Sequence, residues 1–208
     1  MPQTTYNLTP NPAQPGQMLS NDRSASAIRT VPAGVVIPFG VLCEIYAASN
    51  GQALARPVQD SGTAGTFLPN LVGISLLDPF AVEQSYVTYA VPASTAGSTM
   101  VGYPIGYSVP FVYRGGIWGS WDGNTGVALG LGAGIQVWHS STGANPQGVF
   151  TTKAAQTTAG AEIDGPLPYL QIWDPFLKSG AYTDSFGNVI DVVALQINLP
   201  NLVTPGVV

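Results

Sequence analysis

The sequence predicts an all-β fold: a β-sandwich or jelly-roll-like barrel, with an extended N-terminal arm and a short C-terminal tail. Three observations predict it. Apolar residues recur with a period of two in several stretches, the signature of strands with one face turned to a core. Glycine (25) and proline (18) punctuate the chain, with turn signals every ten or so residues. No stretch carries the 3.6-residue periodicity of an amphipathic helix.

The chain divides into an arm (1–30), a β-domain (31–199) and a tail (200–208). In the arm, Pro2, Pro10, Pro12 and Pro15 exclude a helix and large apolar groups are few. Ser24 to Ile28 reads as a short turn or an added strand. Val35, Ile37, Phe39, Val41, Cys43 and Ile45 share one face of a strand, with Pro38 and Gly40 marking a bend. Ser49-Asn-Gly51 is a turn signal, and Ala53 to Val58 returns from it. Leu68 to Leu77 is the next apolar run, and Tyr86 to Val91 alternates again.

The richest stretch is Tyr103 to Trp121. Tyr103, Ile105, Tyr107, Val109, Phe111 and Tyr113 fall on one parity, so the pattern predicts one strand with these six facing the core. Gly115-Gly116 predicts a two-residue hairpin turn, with Ile117, Trp118 and Trp121 on the returning strand. Pro110 cannot donate to a ladder, which predicts a sheet edge or a bulge there. Further on, Gly148 to Thr152 and Pro166 to Trp173 hold short apolar runs, and Gly187-Asn188 predicts a second hairpin turn. Val193, Leu195, Ile197 and Leu199, alternating with Ala194, Gln196 and Asn198, mark the clearest strand.

Charged residues make up 8% of the 208, against about 25% in an ordinary soluble domain. At 45% hydrophobic, the chain can bury a core but cannot cover itself with charge. A surface of that kind is neutral or hidden against other subunits. A net charge of −5 with six scattered Lys/Arg argues against nucleic-acid binding. The N-terminus lacks the cationic and apolar regions of a signal peptide, and no run reaches the roughly 18–20 apolar residues of a membrane span. The expected setting is therefore a cytoplasm, with no membrane partner. Cys43, the single cysteine, excludes an intrachain disulfide and reads as a small buried hydrophobe.

No catalytic set emerges. His139 is the only histidine, and its neighbours Ser140 and Ser141 cannot meet it as a triad by adjacency, because successive strand residues face opposite ways. Glu162 and Asp164 share a parity and could do acid–base work on a glycoside, but they also suit a solvated loop. Asp122 and Asn124 lack the remaining ligands of a calcium loop. The glycines of 130–134 match no phosphate-binding pattern. The tryptophans, 118, 121, 138 and 173, could line a sugar-binding face or pack a core. The expectation is no enzyme activity, no cofactor and no metal site.

The order of several short motifs resembles the tailed-bacteriophage capsid decoration, or cement, proteins. These are Pro15-Gly-Gln17, Asn21-Asp22, Ser24-Ala-Ser26, Val31-Pro-Ala-Gly34 and Ile37-Pro-Phe-Gly40. Val72-Gly-Ile74 with Asp78, Tyr103-Pro-Ile-Gly106, Arg114-Gly-Gly-Ile-Trp118, Gly148-Val-Phe150 and Val192 to Leu199 follow in the same order. The resemblance spans roughly residues 14–199 and departs from the usual pattern over 153–188. It implies a virion structural protein that binds the exterior of the major capsid shell and stabilises it. Its partners would be the major capsid protein and further copies of itself, a homotrimer before a homodimer, with the arm reaching across joints between shell subunits. The arm residues expected at that contact, from polarity and position, are Leu19, Arg23, Ile28 and Arg29. The alternative is a phage fibre or adhesin module that binds carbohydrate through exposed aromatics.

Overall fold

The computed structural model describes residues 15–19, 27–48, 50–59, 70–77, 87–90, 99–122, 135–139, 147–153, 163–173, 178–183 and 189–199. Among these residues there is no helix, and the strands form one large sheet and one of three strands. In chain order the strands are β1 (Ala27–Pro32), β2 (Ile37–Pro38), β3 (Leu42–Ala47), β4 (Ala53–Pro57), β5 (Leu71–Ser75), β6 (Val87–Ala90) and β7 (Thr99–Tyr103). They continue with β8 (Ser108–Trp121), β9 (Gln136–Trp138), β10 (Phe150–Thr151), β11 (Ile163–Asp164), β12 (Leu170–Ile172), β13 (Lys178–Thr183) and β14 (Val189–Asn198). The all-β expectation holds.

The large sheet runs β11-β9-β10-β8-β5-β3-β4, with β1 and β14 also on β8, and β12 and β13 on β14. The named strands pair antiparallel except β10 with β8, where Phe150 lies parallel to Trp121; just past β1, Ala33 makes an isolated parallel bridge to Ala55. The small sheet, β2-β7-β6, pairs Ile37 with Tyr103.

β8 is the spine, and here the expected geometry is corrected twice. The predicted strand from Tyr103 is broken by a turn at Pro104–Tyr107, closed by the Tyr107 N–H donating to the Pro104 carbonyl at 3.2 Å. Gly106, at φ 82°, supplies the positive φ that a type II turn requires at its third residue. Conversely, Gly115-Gly116 makes no turn. β8 runs straight through both, and β14 pairs with it without a break from Asp191 opposite Trp121 to Asn198 opposite Arg114. These glycines leave room for neighbours instead of reversing the chain. A Cβ on Gly116 would lie 3.0 Å from Leu19 Cδ1, and one on Gly119 would lie 2.7 Å from both the Leu195 side chain and the Phe150 ring.

Pro110 does not mark an edge either, because β1 and β5 both pair with this half of β8. The irregularity in the β1 pairing lies elsewhere, where Ala27 faces Arg114 but Ile28 faces Val112. The Pro110 carbonyl accepts the Leu76 N–H, but its nitrogen, on the same β5 flank, cannot return a bond to the Leu76 carbonyl. The Tyr103 hydroxyl donates to that carbonyl instead, at 2.6 Å.

Two backbone relays join the halves of β8. Ser75 pairs with Phe111, its carbonyl accepts the Gly40 N–H, and the Gly40 carbonyl accepts the Ser120 N–H. Leu76 donates to Pro110, while Leu77 donates to Gly16 and Gly16 donates to Trp118. Both halves of β8 are thereby tied, through Gly40 and Gly16, to the end of β5. Gly16 and Gly40 have positive φ, and a Cβ on Gly40 would lie 2.7 Å from the Gly16 nitrogen and 3.0 Å from the Trp118 carbonyl. The base of the arm, 15–19, is thus woven into the β-domain. The expected added strand near Ile28 is β1, which runs across residue 30.

The central strands are covered on both faces. Leu42, Leu71, Ile74, Val112, Ile117, Leu195 and Ile197 belong to one core, while Val41, Cys43, Val72, Val109, Phe111, Ile37 and Tyr103 belong to the other. All five residues of β5 are buried, as expected of a strand that reads as a continuous apolar run. The predicted bend at Pro38–Gly40 and the turn at Asn50-Gly51 are both present, Gly51 at φ 78°. Cys43 is buried, and its thiol lies 3.7 Å from the Val41 carbonyl. The last-strand alternation holds from Leu195 on, with Leu195, Ile197 and Leu199 buried and Gln196 and Asn198 exposed, but not before it, where Ala194 is buried along with Val193 because both faces of the strand are covered. The Gly187-Asn188 turn lies outside the described residues, although Thr183 and Val189, which it would join, are paired.

Candidate functional site

Three of the four expected contact residues, Leu19, Ile28 and Arg29, lie along the middle of β8. The Leu19 N–H donates to the Gly116 carbonyl at 3.0 Å, and its half-buried side chain lies over the space that Gly116 leaves open. Ile28 stands opposite Val112 and is 42% exposed. Arg29 stands opposite Phe111, with its guanidinium carbon 3.8 Å from the centroid of the Tyr113 ring. Arg114, on β8 opposite Ala27, is exposed. Burial lowers the Arg29 pKa from its ordinary value; Tyr113 opposes that shift and the neighbouring Arg114 adds to it. Arg23 lies outside the described residues.

A second exposed feature was not expected. The β7–β8 turn carries Ile105, 69% exposed, and Tyr107, 40% exposed. The turn is pinned to the end of β1: Gly106 donates to the Ala33 carbonyl at 2.7 Å, and Ala33 donates to Tyr107 at 2.8 Å. Behind it, Tyr103 packs edge-on against Phe39 at 5.0 Å and stacks with Tyr107 at 6.1 Å. The Tyr103 hydroxyl donates to the Leu76 carbonyl at 2.6 Å. Parity had placed both Ile105 and Tyr107 inside; the turn ends the strand before them. The signal for that turn was present in Pro104 followed by Gly106.

The residues weighed for chemistry do not assemble. His139 is buried at the end of β9, and Ser140, Ser141 and Glu162 lie outside the described residues. Asp164 pairs with Val137 between β11 and β9. Among the described residues no three metal-ligating side chains cluster. Asp122 is instead a buried acceptor: its Oδ2 takes the Trp138 Nε1–H at 3.1 Å and the Thr151 hydroxyl at 2.7 Å, with Lys153 Nζ at 3.8 Å. It fastens the end of β8 to β9 and β10. Trp138 is thereby held in the core, Trp118 and Trp121 are half-buried, and Trp173 is 47% exposed.

The described surface thus joins a sparse set of cations to a few exposed apolar side chains held on a β scaffold. The family model described as "Structural cement protein (E217 gp24/Pam3 gp6)" matches residues 2–197, nearly the whole chain. The chain belongs to this family of phage structural cement proteins. A comparison with the curated proteins finds no match.

Proposed function

We propose that this protein binds the outer surface of the major capsid shell and stabilises it, without catalysing a reaction. The observation that carries this reading is the family match over residues 2–197. Three features support it. The chain has too few charges to cover its surface, at 8% charged residues. Both faces of its central strands are filled with core, so the unit is a rigid block. Among the described residues the exposed large apolar groups, Ile28, Ile105, Tyr107 and Trp173, are held on strands or beside them, where an interface can use them without ordering cost.

The contact includes the arm, with Leu19, Arg23, Ile28 and Arg29 as the proposed contact residues. The partners are the major capsid protein and further copies of this chain, a trimer before a dimer. Synthesis is in the host cytoplasm and the final place is the capsid exterior. Buried apolar and backbone contacts supply most of the affinity, so binding survives salt that screens surface charge. The test is co-sedimentation with expanded shells assembled without this protein. Saturable binding that persists at about 1 M salt, where screening reaches within about 3 Å, is expected. Failure to co-sediment at any salt concentration would refute the reading.

A further inference from the structure

We propose that Arg29 and Arg114 form an anchor for a carboxylate, supplied by an Asp or Glu side chain of an extended segment of the shell protein lying along β1. The inference rests on the shell-binding reading above and adds the chemistry of one contact.

Four observations converge on it. First, the Arg29 guanidinium is held in place: its central carbon lies 3.8 Å from the centroid of the Tyr113 ring, a cation–π contact that restrains the fork. Second, it lacks an acceptor. Its Nε is buried and makes no hydrogen bond, and a buried donor without a partner costs stability until one arrives. Third, a second cation stands beside it. Arg114 is exposed, stands opposite Ala27, two residues from Arg29 along β1, and makes no ion pair of its own. Elsewhere in the chain, Arg56 is paired with Glu44 at 2.8 Å and Lys153 approaches Asp122. Two like charges left together in a chain of net charge −5 are a cost that a bound anion removes. Fourth, β4 meets the end of β1 where Ala33 bridges Ala55, but among the described residues no strand pairs with the other edge of β1 around Ile28 and Arg29, where an extended segment could lie.

A carboxylate fits better than a phosphate polymer. An arginine fork donates two parallel hydrogen bonds to a carboxylate. Binding to a nucleic acid instead needs many clustered cations, and this chain has six Lys/Arg in all. Ile28, exposed next to Arg29 along β1, supplies the apolar contact beside the anchor.

The experiment measures affinity for expanded shells that lack the protein, at low salt, for the wild type and for the variant carrying both Arg29→Gln and Arg114→Gln. The expected result is a loss of at least tenfold, in the range for removing one side of a desolvated charged pair. A smaller loss overturns the anchor. If the double variant melts early, Arg114→Gln alone carries the test, because that side chain makes no hydrogen bond or ion pair; a loss of at least threefold is expected and a smaller one overturns the proposal. Excess duplex DNA is added as a competitor. It should not displace the protein, and displacement would overturn the carboxylate assignment. A wild type that fails to bind shells strikes the shell-binding reading itself and is seen before any variant is compared.

Discussion

Gly40 shows how much one residue carries. It has φ 69°, its N–H and carbonyl relay Ser75 to Ser120, and its missing Cβ leaves room for Gly16. Gly51 has a similar φ, 78°, but nothing lies within 4 Å of where its Cβ would be. The two separate backbone strain from crowding. Gly51→Ala pays only the left-handed penalty, about 1 kcal/mol. Gly40→Ala adds overpacking against backbone that cannot move aside, about 3 kcal/mol in all. Thermal melts should show Gly40→Ala about 6–12 °C below the wild type and Gly51→Ala within about 4 °C; equal shifts would show that the relay is not tight. The glycine of the Asn50-Gly51 turn was legible in the sequence because its cause is local. The role of Gly40 beyond marking a bend was not, because its partners come from β5, β8 and the arm. Asp122 illustrates the same limit. Its neighbours Gly123 and Asn124 suggested a turn or a metal loop, whereas its acceptor role depends on Trp138 and Thr151, 16 and 29 residues further on.

At the scale of elements, β8 organises the molecule, and the sequence marked it as central while misplacing its ends. Alternation located the apolar residues correctly from Val109 to Phe111. It could not say that Gly115-Gly116 would be crossed, because a glycine pair serves a turn and a close strand contact equally well. Only the facing strand β14 and Leu19 decide between them. The same contacts decide what the arm is. Gly16, Gln17 and Leu19 exchange three backbone hydrogen bonds with Trp118 and Gly116, and Gly16 takes a fourth from Leu77. At about 1 kcal/mol each, these contribute about 4 kcal/mol. A deletion series should therefore show a step: extending the deletion from residues 1–14 to residues 1–19 lowers the melting temperature by a further 8–16 °C or so. A smooth, small decline across that interval would mean that the arm base does not belong to the sheet. Tests of arm function by deletion should accordingly stop at residue 14.

For the whole molecule, the shortage of charge and the two cores have one physical meaning. Strands covered on both faces need apolar residues on both parities, which is why β5 has no polar face and why strict alternation fails around Leu42 and Val112. What remains outside is largely neutral, and such a surface suits a lasting contact with a large partner. The class of fold was readable from periodicity and turn chemistry, and the family from the order of short motifs between Pro15 and Leu199. The exposed Ile105–Tyr107 turn was not readable, since parity and burial part company where a strand ends. The central claim, that this chain strengthens a shell, is tested most directly by calorimetry of expanded shells with and without the bound protein. The account predicts that saturated shells melt at a clearly higher temperature than bare ones. Superimposable melting curves at full occupancy would contradict it.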